Sequence, residues 1–380
     1  MIKKLCLVFI ALFALQIYAQ EGTSSPYSFY GIGNLKFKGT VENVSMGGLS
    51  IYTDSIHVNL RNPASYAGNN LKVSPFNSES RPVKFTVGGA HSNTNLNTSS
   101  ASDKSTVSTF NYLALAFPMG KFGLGFGILP FSSVGYKLDS NVDIDGEEVV
   151  TNRYRGEGGL NKAFLGLGYQ ITEDLSIGVE ASYNFGNIKN SSIAFLYDDD
   201  GEPVQYQSRE SNRSDLSGIN FNFGMYYTPM INEKLQLSTA FTFSPSSDLT
   251  SLNERIFETI VINANTGQEF PVNEIEADLV AEGLDETVLT LPTRTSFGVG
   301  IGTPRKWFLG GEYTSLQTSK FGNRIFDIEN ATFEDASTIA FGGFYVPQYT
   351  SFNKYWKRVV YRAGVRFENT GLKINNESIN

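Results

Sequence analysis

The chain contains almost no cysteine and almost no histidine. Among its 380 residues there is one cysteine, Cys6, and there are two histidines, His57 and His91. Cys6 lies in an N-terminal stretch that we expect to be removed, so disulfides cannot stabilise the mature chain. Neither histidine neighbours a serine or cysteine in a nucleophile motif, and two distant histidines are a poor metal site. We therefore expect no enzyme, no cofactor and no metal centre.

After residue 19 the chain also lacks a run of about eighteen apolar residues, the length that a membrane-spanning helix needs. Residues 1–19 combine two lysines, an apolar run over 5–15 and a small final residue, Ala19. This order is typical of a secretory signal peptide cleaved after Ala19. A lipoprotein anchor is not expected, because Cys6 begins the apolar run instead of following a cleavage site. The sequence therefore predicts an exported protein.

An excess of positive charge is missing as well. The formal net charge is −8 at pH 7, which argues against a nucleic-acid partner. What is abundant is Phe, Tyr and Gly, with 13% aromatic residues and 37 glycines. This composition is typical of an outer-membrane β-barrel, in which every second residue faces lipid. A soluble β-sandwich shares part of it, so composition leaves both classes open.

From residue 83 onward, apolar residues alternate with polar or small ones at a period of two, the pattern of β-strands. The clearest case runs from Leu175 to Gly186, about twelve residues, which is enough to cross a bilayer at a tilt. The pattern predicts eleven strands, which begin near Val83, Tyr112, Phe122, Ala163, Leu175, Ile219, Leu235, Leu291, Trp307, Ile339 and Val359.

The predicted connections differ systematically in length. The long ones cover about 92–105, 136–159, 188–215, 245–290 and 316–336. The short ones cover 119–121, 172–174, 230–234 and 303–306, and the last, 347–357, is intermediate. Short periplasmic turns that alternate with long extracellular loops are typical of outer-membrane barrels, whereas a sandwich has no reason to keep this asymmetry. Acidic Asp-Gly stretches near Asp143 and Asp198 indicate hairpin tips, with calcium binding as the alternative.

A Gly- and Asn-rich stretch precedes the alternating part. It contains Met46-Gly47-Gly48 and, about fifteen residues later, Asn62-Pro63-Ala64. This stretch resembles the N-terminal hatch of the FadL/TodX family of outer-membrane proteins. A second stretch, the two predicted strands from Leu291-Pro292 to Tyr313, resembles part of the barrel of the same family. The resemblance implies an all-β fold, a transmembrane antiparallel β-barrel of 14 strands with a hatch over 20–82 and the barrel over 83–380. About 11 strands are present, so about three would be missing.

The third predicted strand carries Gly123, Gly125, Gly127 and then Pro130. Proline cannot donate a hydrogen bond to a sheet, so the strand is interrupted at Pro130. In the family that the chain resembles, the third strand is kinked inward to open a lateral exit from the lumen into the membrane. The resemblance therefore implies a lateral opening at these four residues. The alternative is that Pro130 only ends the membrane part of the strand.

Charged residues occupy the lumen-facing positions of several predicted strands: Lys84, Glu180, Glu312, Arg358, Arg362, Arg366 and Glu368. One interpretation is a salt-bridged interior that stiffens the wall. The other is that Arg358, Arg362 or Arg366 binds the carboxylate of a ligand whose chain lies in an apolar pocket. The sequence does not choose between them.

The resemblance implies an outer-membrane channel of a Gram-negative bacterium for diffusion-driven uptake of hydrophobic compounds such as long-chain fatty acids. Met46, Gly47, Gly48, Asn62, Pro63 and Ala64 would be the moving parts of the hatch. The implied contacts are a hydrophobic ligand and outer-membrane lipid. The alternative is a barrel without transport that docks a protein partner at its extracellular loops. A deep apolar pocket beside the hatch favours transport, while a filled lumen with an exposed apolar patch on the loops favours docking.

Overall fold

The computed structural model describes Thr23 and residues 25–68, 83–97, 102–144, 147–198, 201–263, 266–320 and 331–379. Its strands are β1 (Asn34–Leu35), β2 (Lys84–Asn97), β3 (Ser102–Met119), β4 (Phe122–Pro130), β5 (Ser132–Ile144), β6 (Glu147–Gln170), β7 (Leu175–Ala194), β8 (Gln207–Tyr227), β9 (Gln236–Ser244), β10 (Ser247–Ile262), β11 (Glu269–Glu276), β12 (Glu286–Leu291), β13 (Arg294–Thr303), β14 (Trp307–Leu316), β15 (Ala331–Phe333), β16 (Ala336–Tyr345), β17 (Tyr361–Asn369), β18 (Leu372–Ile374) and β19 (Glu377–Ser378). The predicted signal peptide and residues 69–82 of the predicted hatch lie outside the described residues. The predicted all-β class is confirmed.

The helices are short. One α-helix covers Val41–Val44 and another covers Leu279–Glu282. Single 3-10 turns cover Pro26–Phe29, Pro63–Tyr66, Thr318–Lys320 and Tyr355–Lys357. Among the helices of the described ranges, none is long and apolar enough to cross a membrane.

Eleven strands form one antiparallel series in the order β17-β16-β14-β13-β9-β8-β7-β6-β4-β3-β2. The eleven predicted segments fall on these strands. β2 and β17 stand at the two ends of the order, and β5, β10, β11 and β12 extend the sheet beside β6 and β8. The fourteen strands implied by the family resemblance stay a prediction.

The alternation of side chains separates two faces of the sheet. On β7 the side chain of Val179 is 39% exposed, whereas its neighbour Glu180 is 1% exposed. On β6 and β8, Leu165 and Phe221 are exposed in the same way on the outer face. Because exposed apolar residues share one face over the whole series, the face and register of these strands follow the predicted period of two.

The strands are longer than predicted. β7 runs to Ala194, and β5 and β6 stay paired up to Ile144 and Glu147, so much of the predicted long connections is hairpin. The predicted long connection 245–290 contains β10, β11, β12 and the helix Leu279–Glu282. The prediction was wrong there because pairing satisfies the backbone whatever the side chains are, and polar residues beyond the apolar band do not end a ladder.

Residues 25–68, which we call the inner segment, pack on the other face of the sheet. They form three apolar clusters with residues of the sheet, which we call the wall. Met46, Leu49 and Ile51 pack with Phe308 and Phe344, Ile32 packs with Val134, Leu160 and Ile188, and Leu60 and Tyr66 pack with Tyr112 and Phe164. The core therefore lies between the inner segment and the wall.

The two faces of β6 give a first test. Leu160 is fully buried in the cluster with Ile188 and Leu216, whereas Leu165 is 55% exposed on the outer face. Leu160→Ala should lower the free energy of unfolding by about 2–5 kcal/mol, because it removes buried methyl groups and leaves a cavity. The measurement is guanidinium unfolding of the protein in detergent micelles. Leu165→Ala is the matched control, and an equal loss in both variants would contradict the assignment of the faces.

Candidate functional site

The second half of the predicted hatch motif is a tight turn clamped to the wall. Pro63 begins the 3-10 turn Pro63–Tyr66, and the Asn62 side chain caps it by accepting a hydrogen bond from the Ala64 backbone N–H at 3.0 Å. This is the usual division of work, with Asn at the cap and Pro at the first helical position. The Asn62 amide donates to the Met225 carbonyl of β8 at 3.1 Å. The turn is thus both closed on itself and tied to a strand.

A stripe of glycines on four strands receives this turn. A Cβ atom added to Gly178 would lie 2.6 Å from the Pro63 carbonyl oxygen, and one on Gly166 would lie 2.6 Å from the Tyr66 ring. Contacts of this kind are found at Gly123 and Gly125 on β4, Gly168 on β6 and Gly224 on β8. Because any side chain there would overlap the turn, glycine is required by space. The wall is smooth where the inner segment touches it.

The glycines of the predicted lateral opening therefore have a packing role. Gly123 faces the Tyr66 backbone and Gly125 the Tyr66 ring, while Gly127 faces Ala114 of the neighbouring strand. This explains the run of glycines on β4 without a hinge. Whether they also open a lateral exit stays a prediction.

Met46-Gly47-Gly48 follows the short helix Val41–Val44 and contacts β16 and β17. Gly47 and Gly48 have φ values of 73° and 88°, which a residue with a side chain rarely adopts. The Gly48 N–H donates to the Asn43 carbonyl at 2.8 Å. Gly342 on β16 and Gly364 on β17 face the Met46 backbone, so glycine again makes room for the inner segment.

A buried ion pair links the inner segment to β14. Arg61 Nη2 lies 2.8 Å from Glu312 Oε1, and the two side chains are only 5% and 3% exposed. The other carboxylate oxygen accepts hydrogen bonds from the backbone N–H and the hydroxyl of Ser50, both at 2.7 Å. Arg61 also donates to the Gly48 carbonyl. One wall carboxylate therefore holds two distant parts of the inner segment.

The third predicted strand divides at Pro130. β4 pairs with β3 from Phe122 to Ile128, where Leu113 is the partner. β5, which follows, pairs with β6 on one side and with β1 of the inner segment on the other, with Asn34 opposite Ser133. The edge that faced β3 is thus taken over by the inner segment. β1 covers only the first two residues of β5, and in the described ranges no strand pairing joins β5 to β3.

The three arginines predicted as ligand candidates have different surroundings. Arg366 donates to Glu368 at 3.0 Å, and Lys38 binds the same carboxylate at 2.6 Å. Arg362 lines a cavity with a volume of about 80 Å³ near the short turns. Arg358 is exposed in the link before β17, so its predicted place on a lumen-facing strand is wrong. The chain leaves β16 through an ordered link, and a period of two does not continue through a turn.

An acidic residue of the inner segment, Asp54, lines the same cavity. Asp54 accepts hydrogen bonds from the backbone N–H of Ile56 and of His57, and it lies 2.8 Å from the His57 ring nitrogen. Burial acts to raise the pKa of Asp54, but the hydrogen bonds from His57 outweigh it and the pKa is lowered from its ordinary value. Lys84 of β2 donates to the Asp54 carbonyl at 2.6 Å and to that of His57 at 2.8 Å. The part of the cavity lined by Asp54 and His57 is therefore polar and is hydrogen-bonded to β2 of the sheet.

Glu180, another of the predicted interior charges, is also paired. Lys162 lies 2.7 Å from Glu180, which in addition accepts a hydrogen bond from Ser182. Together with the Arg61–Glu312 and Arg366–Glu368 pairs, these contacts match the interpretation of a salt-bridged interior. The acidic Asp143 and Asp198 stretches lie at hairpin tips, since Asp143 pairs with Glu148 and the Asp198 N–H donates to the Glu202 carbonyl.

The sequence matches a known family, and the fold resembles known structures. The family model BamG matches residues 1–380. The chain belongs to the BamG family. No curated protein sequence matches the chain. The fold of this BamG-family chain is similar to that of the Pseudomonas putida toluene transporter TodX, with a TM-score of 0.52 and 14% identity over 90% of this chain and 85% of TodX.

A Pseudomonas aeruginosa FadL homologue gives a TM-score of 0.49 and 13% identity over 90% of this chain and 82% of its own. The resemblance to the FadL/TodX family is confirmed as a likeness of fold through TodX. The family whose model matches is BamG, a different name from the one that the sequence motifs suggested.

Two important residues of the BamG-family chain were missed from the sequence. Arg61 stands directly before the predicted Asn62-Pro63-Ala64 motif, and Tyr66 stands two residues after it. An arginine inside a Gly- and Asn-rich stretch with few charged residues was a signal for a buried partner, because a buried cation needs a carboxylate. Tyr66 had no such signal, since only the wall glycines show where its ring lies.

The glycine stripe gives a second test. Gly178→Ala places a Cβ atom against the Pro63 backbone and should cost about 1–3 kcal/mol, because the backbone there cannot move aside. The expected readout is faster cleavage of the inner segment by a protease in detergent. Gly311→Ala on β14 is the control, since its Cβ would meet only the Phe341 ring at 3.0 Å, which can rotate. If both variants resist the protease like the wild type, the stripe does not hold the turn.

The Arg61–Glu312 pair gives a third test. Glu312→Gln leaves the Arg61 charge buried without its partner and should lower stability by about 3–5 kcal/mol. Glu368→Gln is the matched control on a half-exposed pair, where about 1 kcal/mol or less is expected. The double variant Arg61→Met with Glu312→Leu should recover most of the loss. Equal unfolding midpoints for Glu312→Gln and Glu368→Gln would contradict the role of the buried pair.

Proposed function

We propose that the protein is an outer-membrane channel of a Gram-negative bacterium that admits hydrophobic compounds such as long-chain fatty acids. In this proposal the exposed apolar face of the sheet contacts lipid, because strands of alternating polarity can cross a bilayer only as a barrel wall. The end with short turns is then periplasmic and the end with long hairpins is extracellular. The inner segment is the hatch. The fold likeness to TodX supports the architecture alone.

The observation that carries the proposal is the break in pairing between β3 and β5: in the described ranges β5 pairs with β6 and β1 but not with β3. A continuous wall would need main-chain hydrogen bonds there, and the inner segment covers only Ser133 and Ser132 of β5, opposite Asn34 and Leu35. The Lys36 N–H adds a bond to the Phe131 carbonyl at 3.0 Å. A short two-residue pairing is easier to open than the ladders of the other strands. Its withdrawal would leave a side exit from the interior into the membrane.

An apolar surface stands directly behind this exit. Ile32 of the inner segment packs with Val134 and Leu160, and Phe29 stacks edge-on against Tyr136 with ring centroids 5.3 Å apart. A hydrophobic ligand that displaced Phe29 and Ile32 would meet the same kind of surface. Movement of the hatch would then create the ligand path, with Met46 to Gly48 and Asn62 to Ala64 as the points where it leaves the wall.

A disulfide across the exit tests the proposal. Leu35 and Ser132 are paired across antiparallel strands, a separation that a disulfide spans. Since the only cysteine of the chain is Cys6, Leu35→Cys with Ser132→Cys gives a single engineered pair in the mature protein. Oxidation should block entry of a fluorescent fatty acid into proteoliposomes, and reduction should restore it.

Ser92→Cys with Val107→Cys is the matched control, because these residues are paired in the β2–β3 hairpin away from the exit. It should leave entry unchanged in both redox states. If oxidation of the Leu35–Ser132 pair does not slow entry, the lateral route is wrong. If the wild type itself admits no fatty acid or toluene, the channel proposal is wrong as a whole.

A second function is favoured by a different observation. The cavity beside the inner segment holds about 80 Å³, whereas pockets for drug-sized ligands typically have about 300–1,000 Å³. The turn 62–67 also touches the glycine stripe without a gap. A tightly filled interior is what we expect of a barrel that serves as a docking body, with its long hairpins binding a protein partner in secretion or surface attachment.

Mass spectrometry of the protein purified in mild detergent separates the two functions. A stoichiometric apolar ligand, lost when Asn62 and Pro63 are replaced by alanine, supports the channel. Absence of any ligand, with one protein partner that is released when the β10–β11 hairpin is shortened, supports docking. The hairpin is a suitable target because, in the described ranges, β11 pairs with β10 alone.

A further inference from the structure

The link between β16 and β17 combines exposed aromatic rings with positive charge. It covers 346–360, and the neighbouring β13–β14 turn covers 304–306. Together they carry five basic residues, Arg305, Lys306, Lys354, Lys357 and Arg358, and no acidic one, although the whole chain has a net charge of −8. Four aromatic side chains of the link are largely exposed: Tyr349, Phe352, Tyr355 and Trp356. Phe352 is 93% exposed, which is costly for a ring in water.

The link is an ordered structure. A 3-10 turn covers Tyr355–Lys357, and the Gln348 N–H donates to the Lys357 carbonyl at 2.8 Å. Cations lie close to the rings, with Lys357 Nζ 5.7 Å from the Trp356 ring centre and the Arg358 guanidinium 6.0 Å from that of Tyr355. The aromatic and basic groups are therefore presented together on one ordered surface.

The position of the link relative to the outer face is set by the register of three strands. Trp307 pairs with Tyr345, and Tyr345 pairs with Tyr361, so three aromatic residues form a row across the short-turn end of the outer face. Such rows mark the level of lipid headgroups in membrane barrels. The Tyr361 hydroxyl donates to the Trp356 carbonyl at 3.1 Å, which ties the link to that level.

The acidic groups nearest this surface belong to the interior. Glu42 and Asp54 line the cavity together with Arg305, Tyr349 and Arg362. His57 contacts both acids, at 3.7 Å from Glu42 and 2.8 Å from Asp54. They therefore face the inner segment, while the lysines and Arg358 of the link are presented on the outside.

We propose that the link 346–360, with the turn 304–306, binds the phosphate groups of anionic phospholipid in the membrane leaflet at the short-turn end. The rings of Phe352 and Trp356 enter the headgroup boundary, and Lys354, Lys357 and Arg358 bind the phosphates, the usual arrangement of basic and aromatic groups at such a surface. The inference requires the membrane location but not transport, so it stands or falls separately from the channel.

Tryptophan fluorescence tests the contact directly. The chain has two tryptophans, and Trp307→Phe leaves Trp356 as the sole reporter. The full-length variant is placed in nanodiscs of phosphatidylcholine that contain either brominated phosphatidylglycerol or the same fraction of brominated phosphatidylcholine. The expected result is stronger quenching by the anionic lipid. Equal quenching by the two lipids overturns the anionic preference, and no quenching overturns the membrane contact in favour of water or a protein.

Charge removal tests the same proposal independently of the reporter. Lys354→Gln with Lys357→Gln should weaken binding of short-chain phosphatidylglycerol to the protein in detergent by about thirtyfold, from the usual effect of a basic residue near a membrane surface. Lys121→Gln with Lys234→Gln is the matched control, because both lysines are exposed in other short turns. An equal effect of the two pairs, or no effect of either, overturns the proposal. Fatty-acid entry into proteoliposomes, measured in parallel, should be unchanged.

Discussion

The structure depends on how an irregular stretch of chain is accommodated against the inner face of a β-sheet. Residues 25–68 contain little regular structure, so their backbone groups find few partners in helices or ladders of their own. The chain meets this constraint with buried side chains: Asn43 donates to the Leu49 carbonyl, Asn59 to the Ser50 carbonyl, and Glu312 accepts from Ser50 and Arg61. The inner segment is therefore stable only inside this particular wall.

The wall is adapted to the segment in the opposite way, by the absence of side chains. Where the turn 62–67 and the Met46 backbone touch the sheet, the strands carry glycine, as at Gly178, Gly224 and Gly342. Glycine in a strand normally weakens it, and here the neighbouring ladders offset that cost. The arrangement joins close packing with a smooth surface. Side chains interlock with the wall elsewhere, in the three apolar clusters and the Arg61–Glu312 pair.

The contacts of the inner segment support two different kinds of function. The two-residue β1–β5 pairing, at a β5 strand that does not pair with β3 in the described ranges, is suited to an exit that opens. The continuous contact along the glycine stripe and the small cavity beside the inner segment are suited to a body that stays closed. The difference between them is the free energy needed to move the inner segment. The buried Arg61–Glu312 pair adds to that free energy, since separation would leave both charges without a partner.

The period of two, read from residues such as Leu175 to Gly186, determined the strands, their faces and the assignment of apolar residues to the outside, because in a strand the side-chain direction follows directly from position in the sequence. The tight turn at Asn62-Pro63 was equally local. The hairpin lengths, the place of Arg358 and the partners of Arg61 and Tyr66 were decided only by tertiary structure. Ladder pairing continues through polar residues, and a turn resets the alternation. Which wall residue meets an inner segment depends on strands more than a hundred residues away, as with Asn62 and Met225.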